Sequence, residues 1–565
     1  MSSYLEAAIG NIYSDGDDFV LLGLSGRTGS GCSTVAKILT KEKGAIVHSL
    51  CDSNEPKNNE ERKERIILKH YNERWQPFIL LQVRSLMTLM LALDEFPEEV
   101  NSKINGYSDV DCAWSSIKEK LEEIKLYYSK EILRSKSEEL SAHKSQEIIN
   151  FYNSFLPNAC ESIKSLLGES NFIALYQYAG KNLRTSGRAF ESNEASGKSF
   201  IIAEKINEAI KEIRSANKVL QKDTFIVIDA IRNPFEALFF QKRYSSFYLV
   251  AISCPDEQRR ERLRTNGLTD VQINNIDAQE YDLKDVDEAD AYSVQDIQAC
   301  LQRADIYINN PNSENKVSEY SNLANQLIKF TMLMKRPGLV TPTALERCMQ
   351  LAYTAKLNSG CISRQVGAAV TDSNYSIRAI GWNDVPYGQV PCNLRNRFDL
   401  SKGYDSKAYS KYERNNPAFI TRIRESLPKY QSIAKGQNTP YCFKSEYHVI
   451  SGNKDQVHTR SLHAEENAFL QISKCGGAGI DGGFLFTTAS PCELCSKKAY
   501  QLGIKRIYYI DPYPGIAIDH ILNGGSNNPE LILFSGAIGR AFHRLYMPIT
   551  AYKDELSALT KSSLQ

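Results

Sequence analysis

The sequence predicts two α/β domains joined by a short linker. Its 565 residues exceed what one hydrophobic core usually holds, so several domains are expected. In the first part, short β-branched runs alternate with helical patterns, which indicates a parallel sheet. Proline and glycine then interrupt the pattern near residue 337, and a second alternation of strands and helices follows.

Composition and charge are those of an ordinary globular chain. Hydrophobic residues make up 42% and charged residues 24%, and the formal net charge is +1. So small a net charge creates no global field that would recruit nucleic acid. The sequence starts without a signal-peptide pattern and lacks the roughly 20 apolar residues of a membrane span, so we expect a cytoplasmic protein without membrane contact. The 13 cysteines show no disulfide framework and are expected to be thiols or metal ligands.

The first domain is predicted over residues 1–330. A strand at Phe19–Leu24 runs through a glycine-rich turn into a helix that begins near Ser33. Later strands are predicted at Phe225–Asp229, Phe247–Ile252 and Ile306–Ile308. Residues from about 100 to 170 show helical spacing with charged faces, which predicts a helical insertion. That insertion is either packed on the sheet or presents a regulatory or partner surface.

The glycine-rich turn matches the phosphate-loop pattern G-x-x-x-x-G-K-[ST] except at the lysine, which is Cys32 here. Its backbone N–H groups are expected to face an anion, and Ser33 is placed to reach Mg²⁺, but the positive charge on the phosphates is missing. Asp229 ends a strand, as the Walker B carboxylate of a phosphate-loop protein does. The predicted nucleotide-binding residues here are Gly26, Gly29, Gly31, Cys32, Ser33 and Asp229.

Two arginine-containing segments resemble those of P-loop nucleotide kinases. Gln177–Gly187, with Arg184 and nearby Arg188, resembles the monophosphate-binding region, and Arg259–Arg262 resembles the lid. The resemblance implies a kinase-like parallel sheet that binds a nucleotide with Mg²⁺, Arg184 included. Three alternatives stay open: a nucleotide-binding domain with weak or no catalysis, an active kinase, and a scaffold.

The second domain is predicted over residues 343–565, after a linker at 331–342. A helix is expected at Thr343–Lys356, followed by strands at Gly367–Thr371 and Ser376–Gly381. A long polar insert runs to about Arg460, and a helix, a strand, a helix and a strand come after it.

The second domain contains a pattern of metal ligands. His463-Ala464-Glu465 is followed 29 residues after the histidine by Cys492-Glu493-Leu494-Cys495. One imidazole and two thiolates give Zn²⁺ three protein ligands and leave a fourth position open, as a catalytic site requires. An isolated C-x-x-C is also typical of structural zinc or a redox pair, but the two elements together predict a zinc deaminase in which Glu465 carries protons.

The cysteines are expected in the first turn of a helix. Ser490 is a good N-cap and Pro491 a good first-turn residue, so the helix is predicted to run from there to Gly503. Thiolates at the positive end of a helix are favoured in the deprotonated, metal-binding form.

Three further segments resemble the deoxycytidylate deaminase family: Ser363–Ala368, Gly381–Asp384 and Ile510–Gly515. The resemblance covers roughly residues 340–545 and implies a cytidine-deaminase-like, three-layer α/β/α domain. It implies that Asn383 bonds the deoxyribose and that Tyr513 packs near the base. The alternatives are a turn asparagine and a core tyrosine.

The polar insert leaves two questions open. Four basic residues there either face phosphates or are solvated surface charges: Arg395, Arg397, Lys402 and Lys444. Four other residues are candidates for a second, structural zinc site: Cys392, Cys442, His448 and His458.

The combination of both domains resembles the bacterial anti-phage dCTP deaminases. That resemblance implies conversion of dCTP to dUTP, and of dCMP to dUMP, with release of ammonia, and so depletion of dCTP as antiviral defence. It also implies a homo-oligomer and a nucleotide or small-RNA effector at the first domain. The alternatives are a nucleic-acid-editing cytidine deaminase, which needs a basic, aromatic-lined groove, and a bifunctional nucleotide kinase/deaminase.

Overall fold

The computed structural model describes residues 18–95, 110–132, 140–191, 200–281, 295–312, 320–433, 435–452, 456–476, 479–511 and 516–562. The chain forms two compact units, one of Met1–Thr341 with Arg540–Gln565 and one of Pro342–Gly539. The sequence prediction placed residues 540–565 in the second domain instead. They lie with the first unit because Arg540 donates to the Asp305 carboxylate and to the Phe247 carbonyl oxygen, both at 3.0 Å.

The first unit contains a parallel sheet, as the sequence predicts. Its strands are β1 (Phe19–Ser25), β2 (Ile79–Leu81), β3 (Thr224–Ile228), β4 (Phe247–Ser253) and β5 (Ile306–Asn309). They lie in the order β5-β4-β1-β3-β2, and each pairs with its neighbour in parallel. The central strand β1 is buried along its whole length, which explains its continuous apolar sequence. The glycine-rich turn therefore leaves the sheet at the carboxyl end of a central strand.

Helices surround this sheet. Outside the insertion they are Cys32–Leu39, Asn59–Arg74, Val83–Leu93, Glu169–Thr185, Ile201–Val219, Pro234–Arg243, Asp256–Thr265, Asp270–Tyr281, Ile297–Gln302 and Ser321–Lys335. Helices Gly539–Tyr546 and Tyr552–Ser562 come at the end of the described chain. No helix among the described residues is long and apolar enough to cross a membrane.

The predicted helical insertion contains helices Val110–Tyr127, Ala142–Asn150 and Leu156–Leu167. Trp114, Ile117, Leu121 and Ile124 recur at helical spacing and are at most 3% exposed. They pack the first helix against Leu156–Leu167 and Val83–Leu93. The apolar stripe of the insertion is thus buried between helices.

The second unit has a mixed sheet. Its strands are β6 (Gly367–Thr371), β7 (Ile377–Trp382), β8 (Phe484–Ala489), β9 (Arg506–Asp511) and β10 (Glu530–Leu533), and a two-residue strand β11 follows at Gly536–Ala537. The order is β10-β9-β8-β6-β7, with β6 antiparallel to β7 and β8 and the other pairs parallel.

Helices cover both faces of this sheet. A side chain at Gly367 would meet the Ala352 carbonyl oxygen at 2.0 Å, so helix Ala344–Ala355 lies directly against that face. Gly381 opposes Ala368, on the other face, and a side chain there would meet the Ala464 carbonyl oxygen at 2.3 Å. Helix Ala464–Cys475 therefore packs on the opposite side, and the arrangement has three layers.

The polar insert folds into short helices with a core of their own. These are Arg397–Lys402, Lys411–Asn415, Pro417–Ile433 and Phe443–Ser451, packed around residues that include Phe419, Ile423 and Tyr441. Both sequence interpretations of Arg395 and Arg397, phosphate contact and solvated charge, are wrong. Arg395 is fully buried in an ion pair with Glu413, and Arg397 is buried against Glu446 at 2.7 Å. Lys402 is exposed, as a solvated charge would be.

Candidate metal centre and active site

Two helices of the second unit begin beside each other at the predicted metal ligands. His463 is the N-cap of helix Ala464–Cys475, and Cys492 is the N-cap of helix Glu493–Gln501. Ser490 is therefore not the N-cap that the sequence predicts. Its N–H bonds the Asp511 carbonyl oxygen at 2.9 Å, which extends the sheet by one residue and delays the helix. Cys495 lies in the first turn, as predicted.

The three candidate ligands form one cluster. His463 Nδ1 lies 3.3 Å from Cys492 Sγ and 3.4 Å from Cys495 Sγ. Tetrahedral bonds of the usual Zn–N and Zn–S lengths place such atoms about 3.5 Å apart, so the cluster fits Zn²⁺ without rearrangement. In the part of the chain that the structure describes, this is the single group of three such ligand atoms within 4.8 Å of one another.

The two thiols differ in acidity. Contact with the Cys495 sulfur lowers the pKa of the Cys492 thiol to about 4. His463 also lowers this pKa, whereas burial raises it. The same contact and burial raise the pKa of the Cys495 thiol. A thiolate is thus available at neutral pH, and thiolate is the form that binds a metal.

Glu465 lies next to the cluster and is 4% exposed. Burial raises the pKa of its carboxyl group. Its Oε1 accepts a hydrogen bond at 3.0 Å from the Thr487 hydroxyl, which also lies 2.8 Å from the Ala489 carbonyl oxygen. A carboxyl held in one orientation with a raised pKa is suited to proton transfer.

Three residues that position the site were not predicted from the sequence. One is Thr487, which lies beside Glu465 only because strand β8 packs against helix Ala464–Cys475. The other two are Glu466, whose carboxylate accepts from the His463 N–H at 3.4 Å, and Lys498, which forms an ion pair with Glu466. Glu466 stands three residues after the N-cap, the spacing of a capping box, and this signal was available in the sequence. The ion pair joins the helix of the histidine to the helix of the cysteines.

A cavity of about 240 Å³ opens at this cluster, and His463, Glu465 and Cys492 line it. Asn383 also lines it, as the resemblance implies. Its side chain is already bonded: Nδ2 donates to the Arg364 carbonyl oxygen and Oδ1 accepts from the Val366 N–H, both at 2.7 Å. One N–H and one lone pair remain for a ligand. The sugar-binding role stays a prediction, and Tyr513 lies outside the described residues.

The four candidates for a second zinc site are not gathered into one cluster among the described residues. Cys392 and Cys442 line the same cavity as the first cluster. The His458 ring lies 4.4 Å from the Tyr447 ring, between ring centroids. Lys444 also lines the cavity, in agreement with the phosphate-facing alternative.

In the first unit, a carboxylate occupies the glycine-rich turn. Glu280 is 1% exposed, and its carboxylate accepts from the Thr28 N–H at 3.1 Å and from the Thr28 hydroxyl. Arg232 donates to the same carboxylate at 2.9 Å. Gly29 and Gly31 have φ values of 88° and 107°, which favour glycine. The turn thus presents donors to an anion, and a side chain of the chain itself supplies that anion.

Of the remaining predicted residues of the first unit, most are buried or already bonded within the fold, and Ser33 is exposed. Burial raises the pKa of Cys32 to about 11, so its thiol is neutral. The Asp229 carboxylate accepts from the Val83 N–H at 2.9 Å. Arg184 is 7% exposed and donates to Glu236 at 2.8 Å and to the Gly180 carbonyl oxygen. Ser33 is exposed at the start of the helix, beside Gly31. Gly26 packs its Cα close to the Ile252 carbonyl oxygen.

Comparison with known proteins shows which protein family the second unit resembles. Residues 342–511 match the cytidine and deoxycytidylate deaminase zinc-binding region. The chain thus carries the zinc-binding region of a hydrolytic deaminase. The chain is 28% identical over 165 residues to the deoxycytidylate deaminase of Enterobacteria phage T2, covering 29% of this chain and 78% of that protein. The deoxycytidylate deaminase of Schizosaccharomyces pombe is 27% identical over 217 residues, covering 36% and 51%.

A solved structure also resembles the deaminase region. The dCMP deaminase of cyanophage S-TIM5, in complex with dCMP and dUMP, is 25% identical, with a TM-score of 0.21. The match covers 34% of this chain and 99% of that one.

Proposed function

We propose that the chain is a zinc-dependent hydrolase that converts deoxycytidine nucleotides to deoxyuridine nucleotides. The observation that carries this proposal is the cluster of His463, Cys492 and Cys495 beside the buried carboxyl of Glu465. His463, Cys492 and Glu465 line one cavity. The reaction exchanges the amino group on C4 of cytosine for the oxygen of water and releases ammonia. Relatives of the deaminase region carry the name deoxycytidylate deaminase, which supports this substrate class.

Each residue of the site has a proposed role. His463, Cys492 and Cys495 would hold the ion, with the imidazole and the two thiolates as its ligands. When bound, zinc supplies a Lewis acid that makes water a nucleophile at neutral pH. Glu465 takes a proton from water and gives it to ring N3; it then takes the proton of the resulting C4 hydroxyl and passes it to the departing amine, which leaves as ammonia. Asn383 uses its remaining N–H and lone pair on the sugar, and Tyr513 packs near the base.

We extend the proposal to the triphosphate and to antiviral defence. Conversion of dCTP to dUTP, alongside dCMP to dUMP, removes a precursor that a virus needs for DNA synthesis. The first unit then acts as a regulatory domain that binds a nucleotide, with Mg²⁺, or a small RNA, in a homo-oligomer. Support for the nucleotide comes from the glycine-rich turn, whose Thr28 N–H already binds a carboxylate.

Turnover by the purified full chain tests the proposal. The chain is incubated with dCMP, dCTP, CTP or single-stranded DNA containing deoxycytidine, and products are separated by chromatography. We expect deoxyuridine nucleotides and equimolar ammonia, and no product from Glu465→Gln, which keeps the shape but not the acid. Absence of turnover of every free nucleotide contradicts the proposal, and turnover of DNA alone favours an editing enzyme. Saturable binding of a labelled nucleotide to the full chain tests the regulatory role.

A further inference from the structure

The cavity beside Glu465 contains an arginine with no carboxylate partner among the described residues. Arg460 lines this cavity three residues before His463. Its Nη1 donates to the Val390 carbonyl oxygen at 3.2 Å and lies 3.8 Å from Cys392 Sγ. Its Nη2 lies 3.5 Å from Gln389 Oε1. These neutral contacts fix the guanidinium in place without neutralising its charge, and they leave part of its five N–H donors free.

Other arginines of the same unit are paired. Arg364 pairs with Asp511, Arg395 with Glu413 and Arg397 with Glu446. Their charges are balanced by the fold itself. The charge of Arg460 is balanced by no acidic side chain in the part of the chain that the structure describes, so it is available to an anion in the cavity.

The two residues that flank Arg460 add hydroxyl groups. Thr459 Oγ1 is completely buried and has no hydrogen-bond partner among the described residues, although Thr459 lines the cavity. Ser461 lines the same cavity. A buried hydroxyl without a partner is costly to the fold, and native structures usually satisfy such groups. An anionic oxygen in the cavity would accept from this hydroxyl and from the guanidinium together.

We propose that Thr459, Arg460 and Ser461 form the subsite that binds the phosphate group of the nucleotide substrate. This inference rests on the proposed function, since it names how the same cavity recognises its substrate. The Leu462 N–H bonds the Asp384 carbonyl oxygen at 2.8 Å, and His463 follows directly. One anchored segment therefore carries both the phosphate subsite and the first metal ligand, and fixes their separation.

The subsite is assigned to a free nucleotide, although a DNA backbone presents the same phosphate chemistry. A polynucleotide track requires several cations along a groove, with aromatic side chains for stacking. Here Arg364, Lys444 and Arg460 line a cavity of about 240 Å³, Arg364 is paired with Asp511, and the net charge of the chain is +1. The single phosphate group of one nucleotide matches this better than a strand does.

Kinetics of Arg460→Gln test the assignment. The matched control is Lys402→Gln, which removes the same charge from an exposed position of the same insert. Loss of a hydrogen bond to a charged group changes affinity about 10- to 100-fold, so KM for dCMP and dCTP is expected to rise by that factor. The kcat is expected to change less than about threefold, deoxycytidine turnover to stay within about twofold, and Arg460→Lys to recover part of the affinity.

Thr459→Val provides a second, independent variant. It removes a hydroxyl that has no partner in the fold, so KM for dCMP is expected to rise about 3- to 10-fold while Tm stays the same or rises. A residue with a merely structural role gives the opposite pattern, a lower Tm with equal losses for dCMP and deoxycytidine. That pattern overturns the assignment.

The outcomes separate this inference from the proposed function. If the wild type is active and Arg460→Gln behaves like Lys402→Gln, or loses deoxycytidine and dCMP turnover equally, the phosphate subsite is refuted. If the wild type turns over no nucleotide, the proposed function fails, and calorimetric binding of dUMP against deoxyuridine still tests Arg460. If the variant impairs only a deoxycytidine-containing oligonucleotide, the free-nucleotide assignment is wrong. Where deoxycytidine is no substrate, inhibition by dUMP and deoxyuridine gives the same comparison.

Discussion

Replacement of Thr487 by valine should slow catalysis without weakening substrate binding. The Thr487 hydroxyl lies 3.0 Å from Glu465 Oε1, and Thr487 is fully buried in β8. It is not among the residues that line the cavity. Valine fills nearly the same volume, so the change removes only the hydroxyl, with its contacts to the Glu465 carboxyl and to the Ala489 carbonyl oxygen.

The magnitude follows from this one hydrogen bond. A bond to a charged group contributes about 1.5–3 kcal/mol. Since each 1.36 kcal/mol corresponds to a factor of about ten in rate, kcat should fall about 10- to 150-fold. KM for dCMP should stay within about twofold, because no cavity-lining group is altered. Thr487→Ser, which keeps the hydroxyl, should retain most of the activity.

The matched control is Thr371→Val. Thr371 is also fully buried, on the neighbouring strand β6, and its hydroxyl donates to the Asp372 carbonyl oxygen at 2.9 Å. By urea unfolding, Thr371→Val should lose about 1 kcal/mol of stability for a neutral bond, and Thr487→Val about 1.5–3 kcal/mol for a bond to a charged group. Steady-state kinetics with dCMP then separate them. Equal kcat values for the two variants, or a loss at Thr487 that resides in KM, would refute the role given to Thr487.

Three other predictions concern the fold of the insert, the metal and the glycine-rich turn. Glu413→Gln should destabilise the insert by about 3–5 kcal/mol, because Arg395 is left as an uncompensated buried charge. Replacing both Arg395 and Glu413 by apolar residues should cost less stability. Thermal unfolding compares the single and the double variant, and equal Tm values contradict this prediction. Burial raises the pKa of Glu413, but the ion pair with Arg395 outweighs burial and holds this pKa below its usual value. The ion pair therefore contributes to the free energy of unfolding above the unfolded pKa, and this contribution is lost as pH falls through the folded pKa. Removal of metal by a chelator should abolish deamination and lower Tm, and Zn²⁺ should restore both; full activity in metal-free protein would disprove the assigned ligands. Glu280→Gln should raise the affinity of the full chain for a labelled nucleoside triphosphate about tenfold, since it removes a negative charge from the turn, and unchanged binding would show that Glu280 does not compete with phosphate.

The sequence by itself determined the parts that depend on local chemistry and short spacing. The identities and spacing of His463, Glu465, Cys492 and Cys495 predict the metal cluster, because a zinc ion accepts few ligand types and the helix starts bring them together. Apolar runs predicted β1, β3, β4, β5, β6 and β7 to within one or two residues, since buried strands need continuous apolar sequence, whereas β2 was not predicted. The start of helix Ala344–Ala355 was also predicted to within one residue, and Thr343 is its N-cap.

Only the tertiary structure decided which polar residues are spent on the fold and which face the cavity. Arg395 and Arg460 look alike in the sequence, yet one is buried against Glu413 and the other borders the cavity without a carboxylate partner among the described residues. Thr487 meets Glu465 only because strand and helix pack together, and Glu280 reaches the glycine-rich turn across 252 positions of sequence. Such contacts depend on chain segments that are distant in sequence, and no local pattern encodes them. Residue type and spacing therefore predict the reaction chemistry, and packing determines the electrostatics around it.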